Sequence, residues 1–264
     1  MKLDTDKMLA EKDGVIGWMT FNNPERHNAL SYEMRLAILK ILDGFENDPA
    51  IRVIVMKGAG EKAFVSGADI SQFDSLRATP EQQADYDRVS QAVITRYSTL
   101  TKPLIAMIRG YCLGGGLQTA LAADLRIASD NSSFGIPAGR LGIAYGWDNV
   151  ANLVNIVGPA KAKDILFTAR RFMAAEAEAM GLVNKVVPAD ALETVVQETA
   201  ETIAANAPLS ILAAKRTIDE LMKDPGRRNE ASARDATARA MASEDFKEGR
   251  KAFMEKRKPV WKGR

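Results

Sequence analysis

The feature that most constrains the fold is a glycine-rich segment that directly follows a strand-like apolar run. Residues 104–108 are apolar throughout, and the segment 110–116 ends in three consecutive glycines. An uninterrupted apolar strand is typical of a sheet that is covered on both faces. A short helical pattern over 117–123 and a second strand pattern over 125–128 follow. The order strand, turn, helix, strand predicts βα units and a largely parallel sheet.

The first 70 residues show the same alternation of strands and helices. A β-prone run over 15–21 stops at the turn signal Asn22-Asn23-Pro24. Ser31 is predicted to cap a helix, and a second apolar strand is expected over 53–56. The next polar segment, 70–97, contains few apolar residues and is predicted to form a lid or mobile loop.

From residue 147 onward the apolar spacing favours helices, interrupted by a short β run over 182–187. The predicted helices cover 147–157, 159–168, 174–180, 190–206, 208–223 and 229–255. We therefore expect an α/β core over 1–190 and a helical region over 191–264. Amphipathic C-terminal helices need a surface to cover, which is either another subunit or the site of this chain.

Charge and composition exclude several classes of protein. The formal net charge is only +2, so no global field attracts nucleic acid or a membrane surface. No apolar run reaches the roughly 18 residues of a membrane span, and the charged N-terminus is not a signal peptide. One histidine, His27, and one cysteine, Cys112, are too few for a soft-metal site, so no metal is expected. A cytoplasmic location follows from these points.

Two glycine-containing elements stand out as candidates for chemistry, one over 64–70 and the other over 110–116. Neither matches a phosphate-binding loop or the dinucleotide fingerprint. One interpretation is a pair of tight turns that need positive φ angles. The other is a pair of backbone N–H donors that converge on one carbonyl oxygen, which is an oxyanion hole.

Three motifs in this order and spacing resemble the crotonase superfamily, which includes enoyl-CoA hydratases and isomerases. They are residues 23–31 (NPERHNALS), 64–70 (FVSGADI) and 110–116 (GYCLGGG). The resemblance covers essentially the whole chain. It implies a core of stacked ββα turns with a helical C-terminal trimerisation region, assembled as a homotrimer or a dimer of trimers. It also implies acyl-CoA thioester substrates, an enolate-type intermediate, and no cofactor beyond the CoA moiety.

The resemblance also assigns roles to individual residues. It implies that the oxyanion-hole amides belong to Ala68 and Gly115. The residues that it places against CoA are Arg26, Ala68, Asp69, Ile70, Ser71, Phe253 and Lys256. A structural role for Asp69, holding the oxyanion loop, stays open beside this one. The basic side chains near the C-terminus then have the CoA phosphates as a partner, although a solvated helix face explains them as well.

The chain departs from the hydratase pattern at both catalytic glutamates. Gln118 stands three residues after Gly115, and Ala138 follows Pro137, where hydratases of this family have glutamate. Adding water across a double bond needs a base and an acid, and losing one of them costs roughly 10²–10⁴-fold. An amide and a methyl group cannot replace them, so efficient hydration by the usual pair is not expected.

Tyr145 follows the altered segment, where the family builds the far wall of the pocket. A tyrosine here, with the ending 243–246 (SEDF), resembles the methylmalonyl-CoA decarboxylase branch, although that branch has histidine in place of Ala68. Decarboxylation needs an electron sink and no general base, and a pocket without glutamates does not repel a substrate carboxylate. Tyr145 is either a proton donor or a residue of the pocket wall.

Three functions therefore remain open. Hydration or isomerisation of an acyl-CoA is the family default, and decarboxylation of a malonyl-type thioester is the main alternative. The same two missing carboxylates also suit a non-catalytic acyl-CoA-binding protein.

Overall fold

The computed structural model describes residues 1–72 and 76–264 as mixed α/β structure. The strands are β1 (Met8–Asp13), β2 (Ile16–Phe21), β3 (Val53–Gly58), β4 (Ala63–Val65), β5 (Leu104–Ile108), β6 (Tyr111–Leu113), β7 (Leu125–Ser129), β8 (Ser133–Gly135), β9 (Phe172–Met173) and β10 (Lys185–Val187). The helices are α1 (Tyr32–Asn47), α2 (Pro80–Ser98), α3 (Gly115–Leu121), α4 (Trp147–Thr168), α5 (Ala174–Ala179), α6 (Leu192–Ala204), α7 (Pro208–Leu221), α8 (Glu230–Ala242) and α9 (Glu244–Met254).

The strands form two sheets, which the chain visits in turn. The larger sheet has the order β1-β2-β3-β5-β7-β10, and the smaller has the order β4-β6-β8-β9. All neighbouring pairs are parallel except β1 with β2 and β8 with β9. From β3 to β8, successive strands alternate between the sheets, which gives the layout of a ββα spiral. The predicted fold class and the largely parallel sheet are confirmed.

Local signals in the sequence fix the first helix. The Ser31 hydroxyl accepts a hydrogen bond from the Met34 amide, as the predicted cap requires. Beyond it, α1 buries one apolar stripe that includes Ile38, Leu42 and Phe45. This stripe packs in the larger of two hydrophobic clusters, between the sheets.

The prediction of a loop over 70–97 is wrong for most of the segment, because helix α2 begins at Pro80 and continues to its end. Thr79 and Gln82 form a reciprocal capping box at its start. The few apolar side chains of the segment recur at helical spacing, so a thin composition still supplies a buried stripe, which consists of Tyr86, Val89, Val93 and Tyr97. The part of that prediction at 73–75 lies outside the described residues.

The C-terminal helices differ from the prediction in detail. The single helix expected over 229–255 is two helices, because Ser243 ends α8 and caps α9 by accepting from the Phe246 amide. The helices expected over 147–157 and 159–168 are both present, because α4 is divided at Gly158, whose φ of 75° and ψ of 166° are not helical.

Helix α6 covers the face of the larger sheet that points away from α1. Its buried residues, among them Val196 and Ala200, pack against Val55 and Ile105. Lys215 of α7 forms an ion pair with Asp124, beside the start of β5. The division between a core over 1–190 and a helical region over 191–264 remains a prediction. Within the described part of the chain, no helix combines the length and apolar character that crossing a bilayer requires.

Candidate active site

The first turn of the candidate site follows β4 and is held by a short parallel bridge. The Leu30 amide donates to the Gly67 carbonyl at 2.8 Å, and the Asp69 amide donates to the Leu30 carbonyl at 2.9 Å. In this pattern the residue between the two bonded positions turns its own amide to the opposite side. The Ala68 amide therefore points away from Leu30, and it donates to no acceptor among the described residues.

The second turn lies between β6 and α3. Gly114 has φ 52° and ψ −119°, a conformation that favours glycine, and its amide donates to the Gly135 carbonyl at 2.8 Å. Gly116 packs directly on β4, since a Cβ there would collide with the Val65 carbonyl oxygen. Gly110 approaches the Lys62 carbonyl oxygen in the same way. Strand β4 is thus clamped between two glycines of the segment 110–116.

The two turns meet. A Cβ placed on Gly115 would lie 3.5 Å from the Ala68 nitrogen and 3.8 Å from the Gly67 carbonyl carbon. The Gly115 amide, like that of Ala68, donates to no protein acceptor in the ranges 1–72 and 76–264. Two unused N–H donors at neighbouring positions are the parts from which an oxyanion hole is built.

Asp69 organises the loop beyond Ala68. Its carboxylate is 9% exposed and accepts from both the amide and the hydroxyl of Ser71, at 3.1 and 2.6 Å. The Arg26 guanidinium donates to the Ser71 hydroxyl at 2.8 Å and lies 3.5 Å from the carboxylate. Ile70 is 63% exposed. The structure thus gathers four of the residues predicted to contact CoA, and the Asp69 contacts are those of a loop-holding residue.

Asn28 is a residue of this region whose role sequence reasoning missed. It is fully buried at φ 57°, and its side-chain amide donates to the carbonyls of Ala59 and Ala63 at 3.0 and 2.7 Å. Its side-chain oxygen accepts from the Asn23 amide. Asn28 therefore ties the motif 23–31 to β4. The sequence signal that could have indicated this role is that asparagine adopts the left-handed backbone conformation more readily than most residues.

Gln118 lies one turn into α3. Its side-chain nitrogen and oxygen are both buried, and neither has a hydrogen-bond partner among the described residues. Ala138, the other altered position, is buried in the 3-10 turn Pro137–Leu141. The two side chains carry no ionisable group, so the positions contribute no charge to the site.

Tyr145 lies close to the second turn, beside Gly114. Its hydroxyl lies 3.7 Å from the position that a Cβ on Gly114 would occupy. No residue of the described ranges forms a hydrogen bond with this hydroxyl. Burial raises the pKa of Tyr145 to about 12, so the phenol is protonated at neutral pH and is a hydrogen-bond donor.

Phe253 and Lys256 are not brought to these turns by the contacts of the single chain. They lie at the end of α9, which packs on α8, and Phe253 is 82% exposed. Nearby, Arg257 pairs with Glu248 and Glu255, so part of the basic tail is neutralised. His27 packs edge-on against the Tyr111 ring, and it has no part in the site described here. No cluster of metal-ligating side chains occurs among the described residues.

Comparison with known proteins gives consistent matches over nearly the full length. The family model described as enoyl-CoA hydratase/isomerase matches residues 11–264. The chain is 35% identical to a short-chain-enoyl-CoA hydratase of Clostridium acetobutylicum, covering 97% of each chain. It is 36% identical to a carnitinyl-CoA dehydratase of Citrobacter koseri, covering 96% and 97%. An enoyl-CoA hydratase/carnithine racemase structure from Magnetospirillum magneticum superposes with a TM-score of 0.93 at 37% identity, covering 99% and 97%.

Proposed function

The chain belongs to the enoyl-CoA hydratase/isomerase family, and from that premise we propose that it processes acyl-CoA thioesters through an enolate. The thioester oxygen accepts hydrogen bonds from the amides of Ala68 and Gly115. One observation carries the proposal, namely the close approach of the two turns. A Cβ atom built on Gly115 would lie 3.5 Å from the Ala68 nitrogen. Both amides lack a protein acceptor in the described ranges.

The chemistry needs these donors because negative charge develops on the thioester oxygen. When a proton passes from the α-carbon to solvent, the electron pair of the broken C–H bond moves onto that oxygen and forms an enolate. Donors that are already in place stabilise this charge without reorganisation, and one such donor is worth roughly 10²–10³-fold in rate. The two turns therefore supply the electron sink, whichever bond at the α-carbon breaks.

The altered side chains are the reason that we do not propose hydration by the usual pair of glutamates. Gln118 cannot take a proton, and Ala138 has no polar group. The phenol of Tyr145, protonated at neutral pH, is the residue that we assign as proton donor to the α-carbon.

A specific observation favours decarboxylation of a malonyl-type thioester as a second candidate. The side chains of Gln118 and Tyr145 at the second turn are neutral, and neither repels a substrate carboxylate. In this reaction the bond between the α-carbon and the carboxylate breaks, and carbon dioxide leaves. The electron pair of the broken bond forms the enolate. Tyr145 then protonates the α-carbon, and solvent returns a proton to the Tyr145 phenolate.

The assembly and the rest of the CoA site belong to the same proposal. We assign Arg26, Ala68, Asp69, Ile70, Ser71, Phe253 and Lys256 to CoA binding, in a homotrimer or dimer of trimers that functions in the cytoplasm. Exposed apolar side chains on the helices support the assembly, because large apolar patches are rarely left in water. They include Trp147, Phe167, Ile218, Leu221, Phe253 and Met254.

The test is exchange of the α-proton of butyryl-CoA for deuterium, followed by NMR, together with incubations with crotonyl-CoA and methylmalonyl-CoA. Gly115→Ala places a methyl group 3.5 Å from the Ala68 nitrogen, where it obstructs the space of the thioester oxygen. We expect exchange to fall about 10²–10³-fold. Gly226→Ala is the matched control, since a Cβ there has nothing within 4 Å.

The outcomes separate the candidates. Carbon dioxide release from methylmalonyl-CoA favours the decarboxylase. Thioester binding without exchange or turnover supports the non-catalytic binding protein instead. Rapid hydration of crotonyl-CoA contradicts the argument from Gln118 and Ala138, and equal exchange in Gly115→Ala and Gly226→Ala contradicts the oxyanion hole.

A further inference from the structure

Beyond α9 the chain turns back and lies along that helix without forming a helix or a strand of its own. We call residues 260–264 of this segment the strap. The amides of Lys262 and Gly263 donate to the carboxylate of Asp245 at 2.6 and 2.8 Å. Asp245 lies in the first turn of α9 and is buried. Two main-chain bonds to one buried carboxylate therefore fix the strap to the start of α9.

The strap is also bonded to the core of the chain. The indole N–H of Trp261 donates at 2.6 Å to the carbonyl of Ala205, which directly follows α6. Arg52, which directly precedes β3, donates to the Trp261 carbonyl at 2.9 Å and to the Ala204 carbonyl at 3.0 Å. Hydrogen bonds from a charged donor are stronger than those between neutral groups. The strap thus joins α9 to the end of α6 and to the start of β3.

The Trp261 ring makes a second contact with α9, at Gly249. A Cβ atom built on Gly249 would lie 3.1 Å from the ring. Glycine is unfavourable inside a helix, and at this position its missing side chain leaves room for the ring to lie against the helix. Trp261 therefore contacts α9 with its ring and the end of α6 with its N–H group.

Helix α9 has little buried surface of its own to fix its position. It packs on α8, and its buried residues are Asp245 and Ala252. Phe253 and Lys256, at the far end of the helix, are exposed. An element with few buried apolar contacts moves at a low cost in free energy. The bonds of the strap therefore restrict where the end of α9 lies.

We propose that Trp261 and Arg52 are positioning residues for CoA, because they hold α9 where Phe253 and Lys256 bind the nucleotide part of the thioester. The inference rests on the proposed function, which assigns those two side chains to CoA binding. It adds two residues that act through α9 and not on the thioester itself. When only a fraction of the molecules has the binding arrangement, the dissociation constant rises by the inverse of that fraction.

The experiment measures the affinity of the full chain for butyryl-CoA by calorimetry. We expect Trp261→Ala and Arg52→Gln to raise the dissociation constant about ten-fold, which corresponds to a binding fraction of about one tenth. Trp261→Phe loses one N–H donor but keeps an aromatic ring, and it should raise the constant about 2–10-fold. Arg239→Gln is the matched control, since Arg239 is an exposed arginine of α8, and it should bind like the unaltered protein.

Rates of α-proton exchange separate positioning from a general loss of structure. At saturating butyryl-CoA, the Trp261 and Arg52 variants should exchange at the rate of the unaltered protein, because only binding is affected. Exchange of S-butyryl-N-acetylcysteamine, a thioester without the nucleotide, should also be unchanged. In a protein that carries Phe253→Ala and Lys256→Ala, adding Trp261→Phe should cause no further loss of butyryl-CoA affinity, since the three side chains act as one unit.

Unchanged affinity in both Trp261→Ala and Arg52→Gln overturns the inference. An equal loss of exchange with the N-acetylcysteamine thioester overturns it as well, and so does an undiminished effect of Trp261→Phe in the doubly substituted background. Trp261→Phe and Arg52→Gln carry the comparison if Trp261→Ala does not fold. Failure of the proposed function looks different, because then Phe253→Ala with Lys256→Ala leaves the affinity for butyryl-CoA unchanged, and the inference falls with it.

Discussion

Replacing Gln118 by leucine should stabilise the protein in the absence of ligand. The native side chain buries two polar atoms that lack partners in the described structure, and a buried unsatisfied group costs about 1–3 kcal/mol. Leucine has a similar volume and a similar helix propensity, so α3 gains no cavity and loses no intrinsic stability. We therefore expect the free energy of unfolding to rise by about 1–3 kcal/mol.

Guanidinium titration at fixed protein concentration measures this change, and the midpoint should rise while the slope m stays constant. Gln91→Leu removes an exposed amide and should remain within about 0.5 kcal/mol of the unaltered protein. A Gln118→Leu protein that is less stable than Gln91→Leu, or equally stable, would refute the reasoning. Such a result would mean that the native amide is satisfied in solution.

Two further substitutions test Tyr145 and the clamp on β4. Tyr145→Phe should lower α-carbon protonation about 10²–10⁴-fold if the phenol is the donor, whereas a wall residue would change the rate only a few-fold. Because burial raises the pKa of Tyr145 to about 12, above its usual value near 10, its stabilising contribution is complete below about pH 10. It should be lost as the pH rises toward 12. Burial also raises the pKa values of Tyr97 and Cys112, so urea midpoints should fall over this range in both proteins, and less steeply in Tyr145→Phe. Gly116→Ala should destabilise by at least about 1–3 kcal/mol, because its methyl group collides with the Val65 carbonyl. A urea midpoint equal to that of Gly115→Ala would contradict the clamp.

Most of the larger sheet and the helices α1 and α6 could be predicted because their signals are local, whereas the edge strand β1 was not predicted. Five adjacent apolar residues at 104–108 indicate a buried strand, and Ser31 marks a helix start without knowledge of any distant contact. The strands of the smaller sheet were not predicted. Strands β4, β6 and β8 have three residues each, which is too short for a period-two pattern to appear. They exist because segments far apart in the chain pair with one another.

The candidate site shows the same division. The motifs identify Ala68 and Gly115, and the departures at Gln118 and Ala138 are visible in the sequence. The unpaired state of the Gln118 amide is not visible there, because it depends on every group around it. The approach of Tyr145 to Gly114 likewise depends on how α4 and its preceding turn pack. The assignment of Phe253 and Lys256 to CoA binding stays a prediction, since both lie at the end of α9, away from the contacts that join the two turns.

The clamp of β4 between Gly110 and Gly116 limits how a chain of this design diverges. A carbon atom added at either glycine collides with a main-chain oxygen of the segment 62–65. Substitution at these two positions therefore distorts the turn that presents the two N–H donors. A change of reaction is then expected from exchange of the surrounding side chains, at positions such as 118, 138 and 145, with both glycines unchanged. Protein engineers seeking altered reactivity should randomise those three positions and keep both glycines fixed.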